Sequence, residues 1–279
     1  MTRCCNAEDR PIACEDFAVI IPARHASVRL PGKPLADIHG RPMIQWVWER
    51  ACASGASSVI IATDDARVRD ACAAFGAQVE MTGTHHPSGT DRLAEVAHRR
   101  GFAADAILVN VQGDEPLVPP EAIRSLAAAL RQHPGCAIAT PVTRIESLGQ
   151  WLDPNCVKAV RALDGRALYF SRAPIPWPRD TPPPDEAGIA GALRHIGMYA
   201  YRADSLSRFA SLAPTALEQR ERLEQLRALD NGIPIRVWET KHASLRVDRP
   251  EDVHSVAERL QQYEVVRREL KSSGVLFKT

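Results

Sequence analysis

Phe17-Ala18-Val19-Ile20-Ile21-Pro22-Ala23-Arg24-His25-Ala26-Ser27-Val28-Arg29-Leu30-Pro31-Gly32-Lys33-Pro34 is the stretch from which the fold of this chain can be read. Its first five residues are an unbroken apolar run, too short for a helix and suited to a strand buried on both faces. Pro22 has no N–H to give to a strand ladder and ends the run. The twelve residues after it carry three permanent cations, Arg24, Arg29 and Lys33, with Gly32 and two more prolines. A charged loop at the carboxyl end of a buried parallel strand is where open α/β sheets bind ligands. Three clustered cations there suit a polyanion such as a triphosphate, although a solvated basic turn would read the same way. No Walker-type Gly-x-x-x-x-Gly-Lys-Ser/Thr pattern is present.

Working outward, strand and helix patterns alternate. Helices are expected over residues 42–54 and 66–74, the second closed by Phe75-Gly76, with strands over 58–63 and 77–81. A loop, Gly83 through Arg92, opens a helix reaching residue 100. A third buried strand spans 106–111 and ends in Gln112-Gly113-Asp114-Glu115-Pro116, and Pro119-Pro120 begin another helix. This alternation predicts an α/β fold built on a doubly wound, mostly parallel sheet. After about residue 140 the rhythm changes, predicting a smaller α+β portion. Residues 157–161 and 167–170 flank Leu163-Asp164-Gly165, a hairpin signal. Residues 179–191 read as a mobile loop, 194–202 as a strand, 214–230 as an amphipathic helix, 234–240 as a strand and 251–270 as a terminal helix. Residues 17–279 are expected to form one domain, 17–140 its nucleotide-binding half and 141–279 its sugar-binding and dimerisation half, with 1–16 a flexible, catalytically dispensable tail. The apolar hairpin and strand between residues 140 and 214 interrupt the βα rhythm and suggest a partner surface, so a homodimer is expected.

Composition narrows the function. A chain of 279 residues with 45% hydrophobic content can bury a sizeable core. A formal net charge of +1 argues against non-specific nucleic-acid or membrane binding, so the cations are local tools. No apolar run approaches the roughly 20 residues that span a bilayer, and the first residues lack a signal-peptide core, which makes the cytoplasm the expected compartment. The seven cysteines, at 4, 5, 14, 52, 72, 136 and 156, contain no Cys-x-x-Cys pair. Cys52 and Cys72 fall in expected helices and read as buried free thiols. His85 and His86 are adjacent in a loop and make no ligand set.

Several segments, in order, resemble the sugar cytidylyltransferases: Ile20-Ile21-Pro22-Ala23-Arg24, Arg29-Leu30-Pro31-Gly32-Lys33-Pro34-Leu35, Asn110-Val111-Gln112-Gly113-Asp114-Glu115-Pro116, Tyr169-Phe170-Ser171-Arg172, Arg194-His195-Ile196-Gly197, Leu223-Glu224-Gln225-Leu226-Arg227 and Val247-Asp248-Arg249-Pro250-Glu251-Asp252. The similarity covers residues 17–260 and implies a sheet of the nucleotide-diphospho-sugar transferase type. It implies transfer of CMP from CTP to a sugar acid, 3-deoxy-manno-octulosonate (Kdo) first, with release of diphosphate and use of Mg²⁺. An amino analogue or a sialic-like acid is the alternative acceptor, and a non-catalytic nucleotide-binding regulator the alternative role. The resemblance makes Arg24, Lys33 and Asp114 the catalytic set and gives the nucleotide Arg24, Arg29, Lys33, Ser88 and Arg92. It gives the sugar Gln112, Arg172, His195, Tyr199, Glu224 and Gln225, and the metal Asp114 and Asp248. Magnesium prefers one or two carboxylates plus phosphate oxygens and water, which a pair of aspartates supplies. Read as residues alone, Ser88 and Arg92 also fit a capping box, Asp248 a helix N-cap, His195 a core histidine, and Glu224 and Gln225 a solvated helix face. Where the family usually carries Gly-Val-Asp, this chain has Arg246-Val247-Asp248.

Overall fold

Strand β1 (Phe17–Ala23) lies inside a ten-stranded sheet and is buried along almost its whole length. The computed structural model describes residues 17–26, 30–179, 189–241, 246–247 and 249–272, with side chains as far as residue 262. Alternate residues of β1 feed two different cores, as the two-residue period of a strand requires. Phe17, Val19 and Ile21 pack on one face with α1 (Met43–Ala53), α2 (Ala66–Ala74) and α4 (Pro120–Arg131). Ala18 and Ile20 pack on the other with α3 (Gly89–Arg100), α6 (Ala203–Ala210) and α8 (Gln225–Asp230). Covering both faces explains why this strand is an unbroken apolar run. Each of the Phe, Val and Ile side chains contributes about 1.5–3 kcal/mol when fully buried.

The parallel part is β5 (Gln78–Met81), β4 (Ser58–Thr63), β1 and β6 (Ile107–Asn110), in that spatial order. Beyond β6 the sheet turns antiparallel through β11 (Tyr199–Arg202), β7 (Ile138–Arg144), β10 (Leu193–His195), β8 (Lys158–Arg161) and β9 (Ala167–Ser171). Strand β12 (Ile235–Glu239) adds parallel to β7. A small ribbon of β2 (Asp37–Ile38) and β3 (Arg41–Pro42) precedes α1. The architecture is therefore the expected doubly wound α/β sheet, mostly parallel in its core, extended by antiparallel strands.

Two expected elements are each divided. The strand foreseen over 194–202 is broken at residues 196–198 into β10 and β11, which pair with different stretches of β7 and, on their other sides, with β8 and β6. The helix foreseen over 214–230 is α7 (Ala216–Glu221) followed by α8, separated where Arg222 takes φ +54°. A left-handed residue cannot continue a right-handed helix. Strand β7, α5 (Leu148–Leu152) and α6 were not foreseen. Cys72 is buried and its thiol is pushed up to about 12 by burial, whereas Cys52 is only half-buried. The expected loop over 179–191 lies largely outside the described residues.

The helix α9 (Pro250–Ser272) closes a third cluster. Val256 and Leu260 pack with Val247, Ile38, Met43 and Trp46. His39 Nε2 donates to Ala257 O at 2.8 Å. Among the described residues no helix is long and apolar enough to cross a membrane.

Candidate active site

The carboxyl ends of β1, β4 and β6 open onto one crevice, and close backbone packing sets its geometry. A Cβ on Gly113 would stand 2.8 Å from Pro22 O and 3.3 Å from Ile44 Cδ1. Only glycine lets the loop after β6 lie against the end of β1. That approach delivers Asp114 to the cationic loop, where Lys33 Nζ donates to Asp114 Oδ2 at 2.6 Å. Lys33 itself begins a single 3₁₀ turn, Lys33–Leu35, behind Gly32 at φ +70°. Arg246 Nε donates to the same Oδ2 at 2.9 Å, and Val247 N to Asp114 O at 2.9 Å. The second carboxylate oxygen, Oδ1, is buried with no hydrogen-bond partner among the described residues.

Arg24 follows β1 directly. Its Nη2 donates to His86 O at 2.7 Å. Desolvation and the Arg92 charge lower its pKa, and Asp64 and Asp91 oppose them; a guanidinium stays charged under such pressure. The loop that offers His86 O is itself held by Glu95. That carboxylate receives Gly83 N at 2.9 Å, and also pairs with the His86 ring and Arg99.

Ser88 and Arg92 sit beside Arg24 but are turned to the protein. Ser88 caps α3: its hydroxyl accepts from Asp91 N at 3.2 Å while Ser88 N donates to Asp91 Oδ2 at 3.1 Å, a capping box. Arg92 is fully buried, ion-paired to Asp64 at 2.7 Å and donating to Thr82 Oγ1. Ser88 therefore adopts the capping arrangement that the residues alone allowed, with Asp91 as its partner, whereas Arg92 lies outside the box in a buried ion pair. They present the start of α3 and a buried positive charge to the crevice, and no outward-reaching guanidinium. Arg29 and Asp248 lie outside the described residues.

The residues expected at the sugar line a second wall. Register places Tyr199 opposite Asn110, at the end of β6. Gln112 Nε2 donates to Gly197 O at 3.4 Å. His195 packs edge-on against Phe170 and lies 5.5 Å from the Tyr199 ring. Thr140 Oγ1 meets His195 Nε2 at 2.8 Å, Met198 O at 2.9 Å and Ile196 O at 3.2 Å. Glu224 leaves the helix surface expected of it because of the break at Arg222. Thr90 Oγ1 donates to its Oε2 at 2.6 Å, and burial pushes its carboxyl pKa up. Three more buried polar atoms on this wall have no hydrogen-bond partner among the described residues: Asn110 Oδ1, Glu224 Oε1 and Gln225 Nε2. Among the described residues, Glu224 Oε1 has only Arg227 Nη2, at 3.8 Å; buried polar groups are normally satisfied, so these atoms can take a polar ligand.

Arg172 stands at the end of β9. Its Nε donates to Glu221 O at 2.6 Å, Nη1 to Pro154 O at 2.9 Å and Nη2 to Arg222 O at 3.5 Å. Sequence reasoning missed this clamp, together with Asp64, Glu95, Thr140 and Arg246. The acidic pair at the end of β4 and the cation two residues before Asp248 were the available signals for Asp64 and Arg246.

The His195 ring carries a pH consequence. Burial pushes its pKa down to about 3 from an ordinary 6.5. An unfolded chain takes up a proton here that the folded chain refuses. The stability from this group is complete above about pH 6.5 and is lost progressively as pH falls towards 3. The wild-type melting temperature is expected to fall more steeply between pH 6.5 and pH 4 than that of His195→Gln. Parallel melting curves for the two would refute the assignment.

A family model described as cytidylyltransferase matches residues 18–239. The 3-deoxy-manno-octulosonate cytidylyltransferase of Pseudomonas syringae pv. syringae is 51% identical over 244 residues, 86% of this chain and 96% of the relative. That of Halorhodospira halophila is 50% identical over 249 residues, covering 88% and 97%. A solved structure of CMP:2-keto-3-deoxy-manno-octonic acid synthetase complexed with CTP is similar with a TM-score of 0.81 and 44% identity, over 89% of this chain and 99% of that one. A cytidylyltransferase from Leptospira borgpetersenii, 14% identical with a TM-score of 0.58 over 93% of this chain and 95% of that one, shares the fold.

Proposed function

This chain belongs to the cytidylyltransferase family, and we propose that its crevice transfers CMP from CTP to 3-deoxy-manno-octulosonate, using a magnesium ion held at Asp114. The observation that carries the reading is the carboxylate of Asp114, paired through one oxygen with Lys33 and presenting the other, buried and without a hydrogen-bond partner among the described residues. A hydroxyl of the sugar acid attacks the α-phosphorus and gives up its proton to water. The new O–P bond forms as the bond to the β-phosphate oxygen breaks, and diphosphate leaves. The product is the activated sugar for lipopolysaccharide synthesis.

Positioning and charge neutralisation dominate such phosphoryl chemistry. Arg24 and Lys33 meet the negative charge that develops on the leaving diphosphate, and Arg29 adds to this cationic loop. The start of α3 behind Ser88, with the Arg92 charge beneath it, offers free backbone N–H groups to the nucleotide. A magnesium ion fits Asp114 because a hard cation takes a carboxylate oxygen plus phosphate and water oxygens, and Oδ1 is the atom without a partner. Asp248 would supply a second carboxylate. When bound, the ion neutralises phosphate charge and aligns the α-phosphate.

The sugar acid takes the second wall. Gln112, His195, Tyr199, Glu224 and Gln225 meet its hydroxyls. Arg172 grips its carboxylate, since a guanidinium has five N–H donors and carbonyls take three here. A diphosphate-release assay with CTP against a panel of sugar acids tests the reading. Release with 3-deoxy-manno-octulosonate well above that with its amino analogue and a sialic-like acid is expected; none with any acid would leave a nucleotide-binding regulator.

A homodimer through the 140–214 region completes the proposal. Strand β9 ends the path of the sheet, and Leu168 on it, with Leu152 and Trp177 nearby in the chain, is more than half exposed. Trp177 stacks on the buried Trp151 at 5.3 Å, so the exposed ring is rigidly supported. An exposed edge strand carrying large apolar groups is usually covered. Light scattering at working concentration is expected to return twice the chain mass, and Trp177→Glu to shift it towards the monomer. A monomer mass for the wild type would refute it. The cytoplasm is the compartment proposed, where CTP is available.

A further inference from the structure

Helix α7 contains no fully buried residue. Apolar packing therefore does not fix its end, whereas α8 beside it sends Leu226 and Ala228 into the core. Two acidic side chains tie α7 down instead. Glu218 pairs with Arg227 of α8, whose Nε donates to Glu218 Oε2 at 2.8 Å. Glu221, the last residue of α7, reaches the end of β9. Ser171 Oγ donates to Glu221 Oε1 at 2.7 Å, and Arg172 N to Glu221 Oε2 at 2.9 Å. The carbonyl of Glu221 accepts from Arg172 Nε at 2.6 Å, and Arg222 O from Arg172 Nη2 at 3.5 Å. One residue thus holds Arg172 twice, its backbone through the carboxylate and its guanidinium through the carbonyl. The other side of the guanidinium has a separate support. Arg172 Nη1 donates to Pro154 O, in a turn that the buried Lys158 secures by donating to Asp153 O at 2.9 Å and Cys156 O at 2.6 Å.

We propose that Glu221 is a positioning residue for the sugar acid, acting through Arg172 by setting the direction of its guanidinium. The inference rests on the reading of Arg172 as the group that grips the sugar carboxylate. A carboxylate suits the task because it accepts at two oxygens at once. Its bond to a backbone N–H is charge-assisted, and so of the stronger kind. Without that carboxylate the corner at Arg222 loses its tie to β9, and the two carbonyls that aim the guanidinium move with the corner. The Pro154 contact then leaves the fork free to swing about Nη1. A glutamine can keep much of the tie. Its amide oxygen accepts from Arg172 N, and its NH₂ donates to Ser171 Oγ once that hydroxyl turns. Ser171 Oγ accepts from Ala173 N at 3.0 Å and has a second lone pair to offer. An aspartate keeps the charge but is one methylene short of the span.

Steady-state kinetics on Glu221→Ala, Glu221→Gln, Arg172→Ala and the Glu221→Ala/Arg172→Ala double variant test the inference. Glu221→Ala is expected to raise the KM for 3-deoxy-manno-octulosonate about tenfold and to hold that for CTP within about twofold, the low end of the loss of a charged hydrogen-bonded partner. Glu221→Gln is expected to stay within about threefold of wild type for both, because the amide can reform the two bonds. In the Arg172→Ala background the same Glu221→Ala change is expected to raise the sugar constant by no more than about twofold, since residues that act through one another are not additive. A rise of equal size in both backgrounds overturns the inference, and so does a rise shared equally by CTP; either leaves the reading of Arg172 standing. Unchanged constants in Glu221→Ala, beside a raised sugar constant in Arg172→Ala, do the same. An unchanged sugar constant in Arg172→Ala overturns both the inference and the reading beneath it. Should Glu221→Ala fail to fold, Glu221→Asp carries the test: a rise of about fivefold for the sugar acid with CTP held is expected, from a guanidinium displaced by a fraction of a bond length or more, and unchanged constants overturn the inference.

Discussion

Asp114→Asn is expected to lower turnover by about a thousandfold or more while the protein stays folded. Several kcal/mol of charge stabilisation come from a catalytic metal, and each 1.36 kcal/mol is tenfold in rate. The amide is the same shape as the carboxylate, so the close passage of Gly113 under Pro22 is undisturbed. Asp114 O still accepts from Val247 N, and the new amide oxygen can still accept from Lys33. What is lost is the negative charge. Lys33, with a side chain only 12% exposed, then faces a neutral group, which costs some stability but leaves both hydrophobic cores intact. Diphosphate release at saturating CTP and sugar acid measures the loss, and far-ultraviolet circular dichroism checks the fold. Turnover within about threefold of wild type would sink the metal role.

Arg172→Ala is expected to raise the Michaelis constant for the sugar acid by roughly 10- to 150-fold, the usual cost of about 1.5–3 kcal/mol for a hydrogen-bonded charged partner. The constant for CTP is expected to hold within about threefold. The clamp adds a second signature. Without the guanidinium, the carbonyls of Pro154, Glu221 and Arg222 lose their donors, so the melting temperature is expected to fall by several degrees. Arg172→Lys restores a charge and no fork, and is expected to rescue neither quantity in full. A rise confined to CTP would place Arg172 on the wrong half of the site. Lower stability with both constants unchanged would make it a clamp only.

The strands and helices legible in the sequence were those with a continuous apolar run or a clear cap. Residues 58–63 and 66–74 were bounded to the residue, because β4 is apolar on both faces and Asp65 caps α2. Strand β7 was hidden by Pro141, which a central strand should exclude. The structure resolves the conflict through its neighbours. Strand β11 pairs with Ile138 and Ala139, and β10 pairs with Val142, Thr143 and Arg144. Pro141 therefore falls in the gap between them, where no ladder bond on that side needs its missing N–H. The same gap divides 194–202 into two strands. The break at Arg222 was equally invisible, since it swings Glu224 to a partner 134 residues away.

In the site, residue types were legible and pairings were not. Arg24, Lys33 and Asp114 could be picked out from a cationic loop and an aspartate at strand ends. The burial of Arg92 against Asp64 could not be, because a cation at a helix start reads the same facing solvent or facing an acid. Arg246 showed only as a cation two residues before Asp248; the fold of the segment before α9 brings it to Asp114.

The docking of α9 also dictates when the crevice becomes complete. His39 meets Ala257 across 218 positions of chain, and Arg246 meets Asp114 across 132. Contacts between such distant residues form late, after the local β-α units have closed. On the ribosome, the sheet and its cationic loop can assemble while the α9 segment is still unmade. A chain at that stage has Lys33 but neither the Arg246 charge nor the Val247 anchor on Asp114. A chain that ends before α9 therefore lacks the contacts that this segment makes with Asp114.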